Sequence, residues 1–288
     1  MRRVIDVLRE RGLSGRAARD AMASGKVRLR GVPIGDGGRM CEPDAVRFDV
    51  GWPRLRLGLD PVFLEVRARW VVVWKPSGML SVRAPGREAE PDVVSVVARQ
   101  LGQAFAVHRL DEGTSGCLLV ARDEPAQQAL KAMFETHDVE RRYLALVHGQ
   151  VGPEPRRVRS ILLRDRGDGL RGSAVGPVAS TAGKPAETEL RGVQSVRLRG
   201  GPCTLVEALL FTGRTHQVRI HLAEVGAPVL GENLYTRGPA TERFPRLALH
   251  AVTLGFKDPF DGTAVRWDTC LPDDMDRAVR GEVPSARR

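Results

Sequence analysis

Residues 70–78, WVVVWKPSG, constrain the fold more than any other part of the chain. Five consecutive apolar residues, Trp70 to Trp74, leave no polar face, so a strand here must be covered on both sides. Lys75-Pro76-Ser77-Gly78 then forces a turn. Further strand-like runs occur at 203–211 and 247–256. The 288 residues, 42% apolar and 28% charged, are those of a globular chain with room for one large and one small domain. No stretch approaches the ~18 consecutive apolar residues of a membrane span. Met1-Arg2-Arg3 leads into charged residues rather than an apolar signal core, so a cytoplasmic location is expected.

The first fifty residues have their own punctuation. Ser14 can cap a helix in which Ala17, Ala18, Ala21 and Met22 recur at helical spacing, with Arg16 and Arg19 off that stripe and Gly25 as its stop. Val27 and Leu29 then alternate with Arg28 and Arg30 as in a half-buried strand, before a turn at Gly31-Val32-Pro33. The segment holds 11 basic and 7 acidic side chains, +4 of a total of +10. Arg16, Arg19, Lys26 and Arg28 thus form a candidate phosphate-tracking surface, against the simpler reading of a solvated cationic helix. SGRAARDAMASGKVRLRGVP resembles the alpha-L RNA-binding module found in a ribosomal small-subunit protein and in many RNA-modifying enzymes. A Gly-, Pro- and Arg-rich linker follows at 51–62, and 152–185 has the same bias, suiting long loops or a hairpin at an RNA-facing rim.

With a sequence pI near 10.3 the whole chain should attract polyanions, although only five of its 45 cations are Lys and an Arg excess can reflect coding bias. Cys41, Cys117, Cys203 and Cys270 show no paired spacing of a zinc site and read as reduced, small core residues.

Two segments carry the chemistry. In HRLDEGTSGCLLVAR, 108–122, Asp111 sits in a turn-rich stretch ahead of a buried strand, crowded by His108, Arg109, Thr114, Ser115 and Gly116, more than a turn-capping Asp needs. In FTGRTHQVRIHLAEVGAPVLGENLY, 211–235, Arg214, His216, Arg219 and His221 interleave with Val218, Ile220 and Leu222, and Gly226 ends a helix. If that helix begins early enough, Thr215 and Arg219 share a face, and a buried Arg219 would need an acidic partner. A metal-dependent hydrolase using His108, His216, His221 and Asp111 is disfavoured, because His216 and His221 are five apart rather than four.

These two segments are similar to the nucleophile motif and the later arginine-bearing motif of RluA-type pseudouridine synthases. VVVWKPSGML and RLALHAVTLGF match further motifs in the same order. The resemblance implies an α+β pseudouridine synthase fold with a mixed, largely antiparallel central sheet and flanking helices, beside a small N-terminal α/β RNA-binding domain. It places the RNA-binding domain at 1–50, the catalytic domain at 63–275 and a basic tail at 276–288. It also implies that Asp111 is the catalytic aspartate, Arg219 its ionic partner and Tyr143 the aromatic that stacks on the target base. Arg109 would help fill the space left by the flipped uridine, and His108, Arg214 and His216 would line the RNA path. No cofactor and no metal are expected, and the partner is RNA, ribosomal before transfer RNA, acted on by a monomer. A non-catalytic RNA-binding or ribosome-assembly protein is the other reading. Ser81 and Val82 stand where relatives often carry valine and histidine, and Glu232 where Asp is frequent. None of these is expected to touch the catalytic three.

Overall fold

The computed structural model describes residues 1–52, 54–56, 59–174, 183–236 and 244–282. Parts of the expected linker, of the 152–185 segment and of the basic tail therefore lie outside the described residues. The chain forms two compact units, Met1–Gln128 with Trp267–Asp273 and Ala129–Arg266 with Asp274–Arg288.

In the first unit, β1 (Arg2–Arg3) leads into α1 (Val4–Glu10), which the sequence reading missed, and α2 (Gly15–Ala23) follows. Ser14 Oγ accepts the Ala17 N–H, and Ala18, Ala21 and Met22 are buried as their spacing requires. Ala17 is exposed. The strands β2 (Val27–Leu29), β3 (Val32–Pro33) and β5 (Val46–Phe48) form a sheet in the order β3-β2-β5, while β4 (Met40–Cys41) pairs with β1. The turn after β2 lies one residue earlier than expected: Arg30 and Gly31 both take positive φ, the geometry of a two-residue hairpin, so Val32 and Pro33 are the returning strand.

These first fifty residues have their own apolar cluster around Val4, Leu8, Met22 and Val46, but Val32 packs with Val62, Trp74, Leu55 and Leu64. The Gly35 and Asp36 N–H groups donate to Asp273, and Arg39 donates to Leu271 O and Asp273. Burial raises the Asp273 carboxyl pKa despite these donors.

The rest of the unit is the antiparallel set β6 (Val62–Val66), β7 (Trp70–Lys75) and β9 (Ser115–Ala121), with β8 (Phe105–Ala106) also on β9. Every residue of β7 and β9 is buried. Trp70, wholly buried, packs edge-on against Trp267 with centroids 5.6 Å apart. Asp92 caps α3 (Val93–Leu101) by accepting the Ser95 N–H. Cys117, wholly buried in β9, has its thiol pushed up to about 12 by desolvation, which makes it inert. Cys270 is only partly buried.

Helix α4 (Glu124–Glu135) carries the chain into the second unit. There β10 (Val139–His148), β11 (Arg156–Leu163), β12 (Gly172–Ser173), β13 (Lys184–Leu198), β14 (Gly201–Leu210) and β15 (Leu249–Lys257) line up in the order β12-β11-β13-β14-β10-β15, each neighbour antiparallel. The 152–185 segment is thus in part a regular strand paired along β13. Helix α5 (Gln217–Glu224) lies between β14 and β15 in sequence, and β16 (Ala264–Asp268) and α6 (Asp273–Val279) close the described chain. The architecture is the expected α+β class. Among the described residues no helix is long and apolar enough to cross a membrane.

Candidate active site

Asp111 is half-buried in the loop that enters β9, and the backbone around it is fixed on both sides. The pairing of β7 with β9 sets Lys75 opposite Gly116, so the turn leaving β7 and the loop entering β9 emerge together. Ser81 Oγ donates to Leu110 O at 2.8 Å and accepts Leu110 N–H at 3.0 Å, gripping the residue before Asp111. The buried Lys75 ammonium donates to Pro76 O, Met79 O and, at 3.0 Å, Glu112 O, the residue after it. Gly78 N–H donates to the same Glu112 carbonyl, Ser77 Oγ to Gly113 O and Thr114 N–H to Asp111 O. The Glu112 carboxylate takes both terminal nitrogens of Arg87, which holds its pKa below the ordinary value. The apolar strand and its KPSG turn are therefore a clamp on the acidic loop, a role the sequence reading did not assign. Ser81, a position read as not touching the catalytic three, joins that clamp through Leu110.

His108 Nε2 accepts the Leu119 N–H, and Arg109 is exposed. Arg16 and Arg19 are exposed on α2, Arg16 beside Asp20. Lys26 is drawn back to Val50 O, and Arg28 lies half-buried over the Trp52 ring, 4.2 Å from its centroid.

In the second unit, Tyr143 lies on β10 where the pairing with β15 slips by one residue; the extra residue, Val252, is on β15, and β10 keeps an unbroken register with β14. Helix α5 begins at Gln217, with His216 in the left-handed region at its N-cap, so Thr215 precedes the helix and shares no helical face with Arg219. The Gln217 side chain ties the 211–217 loop down: Oε1 accepts Thr212 Oγ1 and Arg214 N–H, while Nε2 donates to Glu187 O and Thr188 Oγ1.

Arg219 is 7% exposed, and Glu232 is an acid that it pairs with. Nε and Nη2 each donate to one Glu232 oxygen at 2.7 Å, a bidentate fork. Glu232 also accepts the Asn233 and Leu234 N–H groups. Burial by itself would raise the Glu232 pKa, but the Arg219 bonds and charge outweigh it and hold the carboxyl below its ordinary value. The expectation that Glu232 stands apart from the catalytic three is thereby corrected. The turn that delivers it depends on Gly231, at φ 75°, where a Cβ would lie 2.0 Å from Arg246 O. Tyr235 bonds His216 Nδ1 at 2.7 Å and lies under the Arg219 guanidinium. Buried His221 bonds Thr188 and Ser160, and desolvation lowers its pKa, keeping it neutral. Among the described residues no three His, Cys, Asp or Glu side chains gather at metal-binding range.

The family model for RNA pseudouridylate synthases matches residues 69–224, more than half of the chain, and spans both the Asp111 loop and Arg219. The chain belongs to the RNA pseudouridylate synthase family. This synthase is 36% identical over 197 residues to the dual-specificity RNA pseudouridine synthase RluA of Escherichia coli, covering 68% of its own length and 86% of the relative's. It is 34% identical over 221 residues to the ribosomal large subunit pseudouridine synthase D of Zymomonas mobilis, covering 71% and 67%. Among solved structures, human RNA pseudouridylate synthase domain containing 1 matches at a TM-score of 0.62 and 25% identity, over 75% of the synthase and 84% of that chain. The synthase is an RNA-modifying isomerase of the RluA type.

Proposed function

We propose that the synthase isomerises uridines in structured ribosomal RNA, with residues 1–50 as an RNA-binding domain and 63–275 as the catalytic domain. Asp111 is the catalytic carboxylate, Arg219 holds it ionised and oriented, and Tyr143 stacks on the flipped base. Arg109 fills the space the base leaves, and His108, Arg214, His216, Arg16, Arg19, Lys26 and Arg28 contact the RNA. The reaction breaks the bond from sugar C1′ to base N1, rotates the uracil and joins C1′ to C5, whose proton passes to solvent while N1 gains one. Asp111 serves by attacking the sugar, by adding to the base or by removing a sugar proton, and each route needs an ionised, immobile carboxylate.

The observation that carries this reading is the clamp around Asp111, which fixes its neighbours Leu110 and Glu112 by their backbone groups. The Glu232 fork on Arg219 supports the second role, because it presents a guanidinium whose orientation is already set. Relatives named for the large ribosomal subunit favour ribosomal over transfer RNA. Release of tritium from large-subunit ribosomal RNA labelled at uridine C5 tests the reading, run beside transfer RNA. Asp111→Asn should abolish release and leave RNA affinity nearly intact. Residual turnover within tenfold of wild type would refute the role of Asp111.

A further inference from the structure

We propose that Arg141 is a substrate-contacting residue, a buried guanidinium that binds a phosphodiester oxygen of the nucleotide whose base stacks on Tyr143. Arg141 is 7% exposed, yet its Nε and Nη2 have no hydrogen-bond partner. Among the described residues the other cations as buried are provided for: Arg219 by Glu232, Lys75 by three carbonyls, Arg39 by Leu271 O and Asp273; half-buried Arg28 leaves one nitrogen, Nε, without a partner, where Arg141 leaves two. A guanidinium held out of water with idle donors costs free energy that the fold does not return, so its compensation lies in something it binds.

The surroundings specify an anion. Among the described residues no carboxylate acts on Arg141; the charged side chain that does is Arg214, which is repulsive, and burial lowers the Arg141 pKa. The repulsion from Arg214 adds positive potential at the buried Arg141 guanidinium. The space is kept for the guanidinium: a Cβ on Gly213 would lie 2.4 Å from Arg141 Nη1, and the Phe134 ring lies 5.4 Å from its Cζ. Arg141 and Tyr143 are two residues apart on β10, hence on one face and about 7 Å apart. A base on Tyr143 therefore brings its own phosphate to Arg141, whereas the uracil carbonyls are neutral and would leave the cation uncompensated. The inference rests on the stacking role of Tyr143.

Arg141→Met tests it, with single-turnover tritium release from C5-labelled large-subunit ribosomal RNA across a salt series. The half-saturating RNA concentration should rise about tenfold or more, while the rate at saturation changes little. The slope of log affinity against log salt should flatten by about 0.7 to 0.9, one phosphate contact. Arg141→Lys keeps the charge and should keep the slope. Because the variant removes an unpaired buried cation, Arg141→Met should melt no lower than wild type. An unchanged half-saturation and slope would overturn the proposal, as would a Met variant that unfolds or melts below wild type, since Arg141 would then serve the fold. Failure of the underlying reading shows separately, as a Tyr143→Ala variant that keeps the wild-type rate at saturation.

Discussion

Replacing Glu232 by Gln isolates a feature of the site that overturned an expectation. The Glu232 side chain is 0% exposed and Arg219 8%, so the pair is screened little by water. Breaking a buried pair by removing one partner costs about 3–5 kcal/mol, because the surviving charge stays buried. Gln keeps the shape and an acceptor for the Leu234 N–H, so the lower end, about 3 kcal/mol, applies. At about 2–4 °C per kcal/mol for a unit of this size, melting should fall by roughly 6–12 °C near neutral pH. The pH dependence carries a sign. The folded Glu232 pKa lies below its unfolded value of about 4.3, so the stabilisation is complete above that pH and is lost as acid titrates through the folded pKa. The gap between wild type and variant should therefore narrow below about pH 4.3. Melting curves followed by circular dichroism in steps from pH 7.5 downward measure both quantities. Single-turnover tritium release should fall as well, since Arg219 loses its orienting fork. A melting difference under about 2 °C at pH 7.5, or a gap independent of pH, would refute the argument.

Ser81→Ala orphans the Leu110 N–H and C=O, at about 1–3 kcal/mol for each buried group, and should slow isomerisation by loosening the backbone next to Asp111; a rate within twofold of wild type would show that the clamp holds without it. A chain beginning at Leu55 loses Val32 from the cluster around Val62 and Trp74, as well as the Gly35, Asp36 and Arg39 donors to Asp273. It should aggregate or melt well below the full chain, and a soluble product with the full-length melting point would establish the first fifty residues as separable.

The strands at 70–75, 201–210 and 249–257 and the helix capped by Ser14 were legible because unbroken apolar runs, hydroxyl caps and glycine stops are local signals. The family motifs were legible for the same reason, since each is a contiguous string around Asp111 or Arg219. Helix α1 escaped because its buried residues, Val4, Val7 and Leu8, are few and flanked by charges. Partnership was not legible at all. Nothing in the local pattern of Glu232, 13 residues after Arg219, marks it as that arginine's acid rather than a surface glutamate, and Ser81 stands 29 residues from the peptide it grips. The sequence by itself determined several of the strands and which residues could do chemistry. Only tertiary structure decided which polar groups meet, because the hydrogen bonds that satisfy a buried charge join chain segments whose separation in sequence carries no signal of their contact in space.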